Sequence, residues 1–271
     1  MTRAVILAAG TGTRMGALTA DRPKGLLPIN GRPLVAHQIT NLRQAGIQDI
    51  TLVAGYRAEQ YAGLGIEVVV NPEYATTNMV ASLFCATTVF DDPKGNTLVH
   101  YGDVIVEPRH LERLNAEPRD IACLVDMDWI DYFRARGEHW RDDVEALNMG
   151  EDGRLLTIGG AAENLQHVHG RFVGALKLSS LGAIECHAHY RQMLESAADS
   201  PGALQAIRQQ YTTDFLQSLI DNYIAVQATL IKRGWLEFDC TADYEAAVSW
   251  FRTKDSRFFD VSSIPAMEPG L

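Results

Sequence analysis

The sequence predicts an α/β protein with a Rossmann-like, doubly wound and mainly parallel sheet. Three observations predict this fold class. The chain opens with an apolar run, Ala4 to Ala9, which is typical of a buried parallel strand. Short apolar segments then alternate with stretches of helical spacing through the first half of the chain. Between 126 and 174 this alternation stops, and the pattern predicts a small antiparallel addition.

The elements of the first half follow from local signals. The first strand runs into Gly10 and Gly12, which permit a tight turn and a close approach of the backbone to a ligand. The next predicted elements are, in order, a helix over 33–45 and strands over 50–54, 65–70 and 97–104. Ligands of doubly wound sheets bind at the carboxyl ends of the strands. The residues that follow these strands are therefore the candidates for a site.

The elements of the second half are predicted in the same way. Strands over 144–149, 154–158 and 168–178 have glycine turns between them and are expected to be antiparallel. Residues 181–197 and 211–222 have helical spacing, and 224–231 is expected to form another strand.

The glycine turn after the first strand indicates a phosphate-binding loop. Successive backbone N–H groups in such a turn form a concavity that attracts anions. Arg14 and Lys24 are the nearest basic side chains able to neutralise a polyphosphate. A dinucleotide fingerprint would need glycine at Met15, and the chain has no Gly-Lys-Ser/Thr run of a P-loop, so neither motif is present.

Composition and charge exclude other classes of function. The 271 residues are 46% hydrophobic without an apolar run of membrane-spanning length, so no membrane partner is expected. The formal net charge of −10 argues against nucleic acid or anionic lipid as the main partner. Four widely spaced cysteines form no Cys-x-x-Cys pair and indicate reduced thiols. Because the first strand begins almost at Met1, we expect no signal peptide and a cytoplasmic protein.

A second informative stretch covers residues 71–83. Pro72 breaks the preceding strand, and Thr77 or Asn78 is placed to cap a helix. A helix N-terminus at the strand ends is a suitable place for a phosphate or a base edge. Asn78 is therefore either a helix cap alone or a cap that also lies beside a ligand.

Three motifs give the chain a resemblance to a known family. They are L-A-A-G-x-G-[ST]-R-[ML] from Leu7 with Pro23-Lys24 downstream, N-P-x-Y-x-x-T-N-x-x-x-S-L from Asn71, and a segment from Trp235 similar to W-x-E-x-D-[ST]-x-x-D-[LY]. The chain resembles the nucleotidyltransferases that join an NTP to a phosphorylated sugar or alcohol. The second motif resembles the branch of phosphocholine and phosphonate cytidylyltransferases.

This resemblance implies a nucleotide site for CTP. Tyr56 follows a strand end, and contact with the ligand or a place at the rim is equally expected. The predicted nucleotide-binding residues are Leu7, Ala8, Ala9, Gly10, Thr11, Gly12, Thr13, Arg14, Lys24, Tyr56, Asn78, Ser82 and Gly102.

A magnesium site is predicted from two distant aspartates. Asp103 ends a core strand at the edge where the phosphate loop lies, and carboxylates are preferred Mg²⁺ ligands. The resemblance implies that Asp239 shares this ion, which makes Mg²⁺ the predicted cofactor. Thr241 is expected to cap the following helix, with Asp243 in its first turn. The predicted catalytic residues are Lys24, Arg14, Asp103 and Asp239.

Acidic and aromatic residues in the middle of the chain predict an acceptor pocket. Aromatic faces and carboxylates together favour a cationic amine, and the alternative is a solvated acidic loop with its aromatic rings in the core. The run Gly170 to Lys177 resembles G-x-[YF]-x-G-[LA]-x-K of the phosphocholine branch, which adds two cations for a phosphate. The predicted acceptor-binding residues are Asp126, Asp128, Trp129, Tyr132, Glu145, Arg171, Lys177 and Glu237.

The sequence and the resemblance together predict a Mg²⁺-dependent cytidylyltransferase. It would transfer CMP from CTP to a small acceptor of the phosphocholine or 2-aminoethylphosphonate type and release pyrophosphate. Two alternatives stay open, a sugar-1-phosphate nucleotidyltransferase using another NTP and a non-catalytic nucleotide-sensing relative.

The predicted organisation is one domain over 1–252. Residues 1–125 form its nucleotide-binding half, and 126–252 form the acceptor-binding half with the second metal aspartate. The tail, 253–271, is expected either to pack on a second subunit, giving a homodimer, or to fray.

Overall fold

The computed structural model describes residues 2–137 and 140–263. Its strands are β1 (Arg3–Ala8), β2 (Pro28–Ile29), β3 (Arg32–Pro33), β4 (Asp49–Ala54), β5 (Glu67–Val70), β6 (Thr97–Tyr101), β7 (Val104–Val106), β8 (Ile121–Asp126), β9 (Glu145–Met149), β10 (Leu155–Ala161), β11 (Arg171–Leu178), β12 (Gln227–Ile231) and β13 (Trp235–Glu237). Its helices are α1 (Leu34–Gln44), α2 (Met79–Phe84), α3 (Thr87–Asp91), α4 (Pro108–Asn115), α5 (Trp129–Arg136), α6 (Ser180–Ser196), α7 (Pro201–Arg208), α8 (Thr212–Asp221) and α9 (Thr241–Thr253).

The central sheet has seven strands in the order β12-β8-β11-β6-β1-β4-β5. Every neighbouring pair is parallel except the two pairs made by β11, which runs antiparallel to β6 and β8. The mainly parallel α/β sheet predicted from the sequence is therefore confirmed. Strands from both predicted halves of the chain belong to this one sheet.

Both faces of the sheet are buried, which explains the apolar run at the start of the chain. Ala4 and Ile6 belong to one hydrophobic cluster, whereas Val5 and Leu7 belong to a second cluster on the other face. A strand covered on both sides needs apolar residues at successive positions rather than at alternate ones.

The second half adds the predicted antiparallel part. β9 and β10 form an antiparallel hairpin, and α8 packs against β10. The predicted strand over 168–178 begins at Arg171, beside Asp126 at the end of β8. The amino end of β11 therefore lies at the same edge of the sheet as the carboxyl ends of the parallel strands.

A short antiparallel ribbon joins two distant segments of the chain at this edge. β7 pairs with β13, with Val104 opposite Glu237. The backbone N–H of Phe238 donates a hydrogen bond of 2.9 Å to the carbonyl oxygen of Asp103. The ribbon therefore brings Asp103 and Asp239 to one place, although they are far apart in sequence.

Several predicted boundaries differ from the structure. The strand predicted over 97–104 ends at Tyr101, because Gly102 and Asp103 turn the chain toward β7. Helix α7 was not predicted, and it begins at Pro201, a residue that is favoured in the first turn of a helix. The predicted cap Thr241 is instead the first residue of α9, and Cys240 holds the cap position. Of the predicted tail, 264–271 lies outside the described residues.

No helix in the described ranges is both long enough and apolar enough to span a membrane.

His110 on α4 predicts a pH-dependent loss of stability. Its ring is buried beside Gly234, and no described residue offers Nε2 a hydrogen-bond partner. Burial, helped by the neighbouring Arg109, lowers the pKa of His110 from 6.5 to about 4. Between these values the unfolded chain binds a proton that the folded chain does not. The free energy of unfolding should therefore decrease as the pH falls from 6.5 to 4, by about 2 kcal/mol at pH 5 from this residue.

Urea unfolding at pH 7 and pH 5 measures this effect, with His110→Gln as the non-titrating variant. We expect the variant to lose about 2 kcal/mol less than the wild type between the two pH values. Equal losses in the two proteins would show that His110 does not carry the predicted proton linkage.

Candidate active site

The glycine-rich loop after β1 takes a compact form. Gly12 has a φ of +66° and accepts two hydrogen bonds of 2.9 Å at its carbonyl oxygen, from the Met15 N–H and the Thr19 hydroxyl. A Cβ at position 12 would be strained at this φ and would lie 3.3 Å from Cβ of Lys24. A Cβ at Gly10 would instead point into open space. Gly12 therefore lets the loop turn beside Lys24, and Gly10 leaves room for a ligand.

This loop lines a cavity of about 310 Å³ at the carboxyl edge of the sheet. Gly102 is part of its wall, since a side chain there would lie 2.5 Å from the carbonyl oxygen of Leu7. Twelve of the thirteen predicted nucleotide-binding residues line this cavity, all except Tyr56. The further lining residues are Gly25, Tyr61, Tyr74, Thr77, Met79, Asp103 and Tyr211.

Tyr56 supports the loop from outside the cavity. Its hydroxyl donates a hydrogen bond of 3.0 Å to the carbonyl oxygen of Ala20, and Arg57 Nε donates to the same hydroxyl. The structure thus places Tyr56 at the rim, which is one of the two alternatives drawn from the sequence, and does not bring it to the nucleotide cavity.

Asn78 is a helix cap that also lines the cavity. Its side-chain oxygen accepts a hydrogen bond of 2.9 Å from the Met79 N–H at the start of α2. Its own N–H donates to the carbonyl oxygen of Arg208 at the end of α7. Ser82, one turn into α2, is buried and accepts a hydrogen bond from the Asn71 amide. Hydrogen bonds within the protein therefore hold the side chains of both residues in place without a ligand.

Lys24 lies between the two predicted metal ligands. Its Nζ is 2.9 Å from Oδ2 of Asp103 and 3.9 Å from Oδ1 of Asp239. Burial lowers the pKa of Lys24, but the two carboxylates outweigh burial and raise it. For Asp239, burial raises the pKa, and Lys24 with Arg14 outweighs it and lowers the pKa. Lys24 and Asp239 therefore stabilise one another in their charged forms.

Arg14 approaches the same aspartate from the solvent side. Its Nη2 donates a hydrogen bond of 2.9 Å to Oδ1 of Asp239, while 63% of the Arg14 side chain stays exposed. This exposed guanidinium is free to meet a phosphate without leaving the cleft.

Behind Asp239 lies a buried cluster around Arg136, at the end of α5. Arg136 donates to both carboxylate oxygens of Asp243, at 2.8 and 3.0 Å, and to Oε2 of Glu237 at 2.6 Å. Its Nη2 also donates to Oδ2 of Asp239 at 3.4 Å. Burial opposes the charge of Arg136, but Glu237 and Asp243 raise its pKa well above the ordinary value.

The site as a whole has more acidic groups than basic ones. Ion-pair distances connect four basic and six acidic side chains of residues 2–137 and 140–263. They are Arg14, Lys24, Arg136 and Arg171, with Asp103, Asp143, Glu145, Glu237, Asp239 and Asp243. Burial, with the charge of Asp239, raises the pKa of Glu237 to about 8. The surplus of acids would be relieved by a cation.

Comparison with known families decides the affiliation of the chain. The profile of the MobA-like NTP transferase domain matches residues 4–172. The protein belongs to this family. As a MobA-like NTP transferase it is a nucleotidyltransferase, as the sequence motifs predicted, and the cavity with its glycine-rich loop is the candidate nucleotide site.

Relatives of this MobA-like NTP transferase include two named cytidylyltransferases. The chain is 29% identical over 253 residues to the CTP:phosphoglutamine cytidylyltransferase of Campylobacter jejuni, covering 90% of this chain and 98% of that protein. It is 36% identical over 115 residues to the 2-aminoethylphosphonate cytidylyltransferase of Lancefieldella rimae, covering 41% of this chain and 46% of that protein.

A solved structure supports the fold of the family. The CTP:phosphocholine cytidylyltransferase of Streptococcus pneumoniae superimposes with a TM-score of 0.69 at 23% identity. The alignment covers 92% of this chain and 98% of that one.

Three of the predicted acceptor-binding residues lie at the site. Arg171 Nη1 is 3.2 Å from Oε2 of Glu145, and Arg171 Nη2 is 4.0 Å from Oε1 of Glu237. The other oxygen of Glu145 accepts a hydrogen bond of 3.2 Å from the Thr213 hydroxyl on α8. β11, the β9–β10 hairpin and the β7–β13 ribbon therefore converge beside Asp239.

The structure does not bring Asp126, Asp128, Trp129 and Tyr132 to the site. The carboxylate of Asp126 is fully buried, where it accepts a hydrogen bond of 2.8 Å from Trp235 Nε1. The Trp129 and Tyr132 rings are each 2% exposed in an aromatic core. Asp128 pairs with Arg233 at 2.7 Å. The predicted acceptor pocket is corrected here, because these side chains hold together the core and the loop before β13.

Lys177 is also corrected. It lies opposite Ala122 near the start of β8, at the other edge of the sheet from the cavity. Its Nζ donates to the carbonyl oxygens of Glu117 and Arg119. The residue therefore ties the α4–β8 loop to β11 and is in no position to hold an acceptor phosphate.

The sequence reasoning missed Arg136. Asp143 belongs to the acidic stretch from which the acceptor pocket was predicted, but its ion pairs with Arg14 and Arg171 were not foreseen. Arg136 forms hydrogen bonds with partners that are 101 to 107 residues away, so no local spacing could have paired them. A basic residue on a helix that already pairs Asp131 with Arg134 resembles an ordinary solvated position.

We expect Arg136→Met to destabilise the protein strongly. The substitution leaves the buried Asp243 without its counter-charge and removes the shortest ion pair of the buried Glu237, which costs about 3–5 kcal/mol. Arg134→Met, on the exposed side of the same helix, is the matched control and should change stability by about 0.5 kcal/mol or less. Denaturant unfolding at pH 7 compares the two, and equal effects would show that the buried cluster does not carry this stability.

Proposed function

We propose that the protein transfers a cytidylyl group from CTP to a phosphate or phosphonate oxygen of a small acceptor and releases pyrophosphate. The observation that carries the proposal is the position of Lys24. Its ammonium lies between the carboxylates of Asp103 and Asp239, in the cavity lined by the glycine-rich loop. A cavity that holds a lysine on its wall and an exposed arginine beside it offers two cationic side chains to a polyphosphate.

The reaction needs no nucleophile from the protein. An acceptor phosphate oxygen is already ionised at neutral pH, and it forms a bond to the α-phosphorus of CTP. The bond from the α-phosphorus to the bridging oxygen breaks, and its electrons leave with pyrophosphate. Lys24 and Arg14 hold the phosphates and offset the charge that develops on them. Backbone N–H groups of the loop orient the chain of phosphates.

The donor set fits a magnesium ion. Asp103 and Asp239 offer hard carboxylate oxygens, and a cationic group, the Lys24 ammonium, already lies between them. Asp103 and Asp239 would hold Mg²⁺, which supplies charge neutralisation at the phosphates when it is bound.

The choice of CTP and of the acceptor class is supported by the relatives. The Campylobacter jejuni protein is named for CTP and phosphoglutamine, and the Lancefieldella rimae protein for 2-aminoethylphosphonate. These acceptors combine nitrogen with a phosphorus group. In this chain the Asp143 and Glu145 side chains are each 36% exposed beside Arg14 and Arg171. They could receive a cationic amine while the phosphorus group faces Lys24.

Pyrophosphate release tests the proposal. Each of the four NTPs is paired with phosphocholine, 2-aminoethylphosphonate, phosphoglutamine and glucose 1-phosphate in the presence of Mg²⁺. We expect release with CTP and a nitrogen-containing acceptor. Lys24→Met and Asp103→Asn should each lower kcat/KM by about 10²-fold to 10⁴-fold, because the first removes a positive charge at the reacting phosphates and the second removes a carboxylate that would hold Mg²⁺.

Lys94→Met is the matched control, since Lys94 is an exposed lysine that pairs with Asp92 and does not line the cavity. It should retain wild-type rates. Turnover with sugar phosphates alone would contradict the acceptor class. Tight CTP binding without release from any pair would contradict catalysis and favour a nucleotide sensor.

A further inference from the structure

We propose that Arg136 is a positioning residue for Asp239, acting together with Asp243. This inference rests on the proposed function, in which Asp239 is a metal ligand. It concerns a residue that touches neither the cavity nor a phosphate. Arg136 does not line the cavity, and its contacts with Asp239 come from the opposite side.

The two carboxylate oxygens of Asp239 face in different directions and have different partners. Oδ1 faces the cleft, where it accepts from Arg14 and lies near Lys24. Oδ2 faces the interior, where it accepts from Arg136. The contact to Arg136 therefore fixes the rotation of the carboxylate and directs Oδ1 toward the cavity.

Asp243 and Arg136 together also hold the backbone of Asp239. Oδ2 of Asp243 accepts hydrogen bonds of 2.9 Å from the N–H groups of both Asp239 and Cys240. These N–H groups precede α9, and Asp243 lies in its first turn. Arg136 holds Asp243 through Nε and Nη2 at once. One guanidinium thus fixes both the main chain and the side chain of Asp239.

The guanidinium itself has little freedom to move. The Arg136 side chain is 7% exposed, and its Cζ lies 4.6 Å from the ring centroid of Phe133. A planar fork with five N–H donors can serve three carboxylates in fixed directions. A lysine at this position would keep the charge but could not reproduce the two parallel bonds to Asp243 together with the bond to Asp239.

Lysine substitution separates positioning from charge and from simple stability. We compare the wild type with Arg136→Lys and with the control Arg109→Lys. Arg109 lies on α4 and pairs with the buried Glu107 at 2.7 Å, so the control also replaces an arginine that neutralises a buried carboxylate. The readouts are the affinity for Mn²⁺ alone, from the EPR signal of the free ion, kcat and KM for CTP, and the thermal midpoint.

We expect Arg136→Lys to weaken Mn²⁺ binding by about tenfold to a hundredfold and to lower kcat more than it raises KM, because a residue that orients a metal ligand has effects of this size. Arg109→Lys should keep the wild-type Mn²⁺ affinity and kcat. Equal Mn²⁺ affinity in wild type and Arg136→Lys, or equal losses in both variants, would overturn the positioning role and leave the proposed function intact. A wild type that binds no Mn²⁺ and releases no pyrophosphate would overturn both.

A second variant tests the partnership with Asp243. Asp243→Asn keeps the shape of the side chain and removes its charge, so it should reproduce the loss of Mn²⁺ affinity seen in Arg136→Lys. If the two residues act as a unit, the double variant should lose no more affinity than the worse single variant. Losses that multiply would contradict a shared role.

Discussion

The contact of one lysine with two aspartates organises the whole cleft. A buried ammonium needs carboxylates to remain charged, and two carboxylates placed close together need a cation between them. Lys24 lies 2.9 Å from Asp103 and 3.9 Å from Asp239. The lysine therefore has its carboxylates, and the two aspartates have the cation that they need. In the proposed function, Lys24 would pair with the phosphates of CTP and the two carboxylates would hold the metal ion.

The sheet, the β7–β13 ribbon and the cluster around Arg136 together position the residues of this contact. Parallel strands carry the loop, Asp103 and the polar helix start at Asn78 to one edge of the sheet. The β7–β13 ribbon then returns the end of the chain to that edge and delivers Asp239. Beneath the ribbon, the cluster around Arg136 compensates the buried acids of β13 and α9. The orientation of Asp239 therefore depends on Arg136 and Asp243, which lie outside the cavity.

The sequence predicts those parts of the molecule whose signals are local. Apolar strands, glycine turns and the motif from Leu7 to Met15 are such local signals. The more distant lining residues Asn78 and Ser82 were predicted from the family resemblance. The resemblance also predicted that Asp103 and Asp239 lie together, as the structure places them, but other tertiary contacts could not be predicted. The same chemistry that suggested an amine pocket at Trp129 and Tyr132 is equally suited to a buried core, and only packing decides between them. Arg136 shows the limit most clearly, because its partners belong to another part of the chain.

The most direct measurement is the anomalous scattering of Mn²⁺ in a crystal of the protein with CTP and no acceptor. The account predicts a manganese peak bound by the carboxylates of Asp103 and Asp239, with Lys24 moved onto a phosphate oxygen of CTP. A peak bound instead by Asp143, Glu237 and Asp239, whose carboxylate oxygens lie within 4.8 Å of one another, would contradict it. So would CTP bound in the cavity with Lys24 still paired to Asp103.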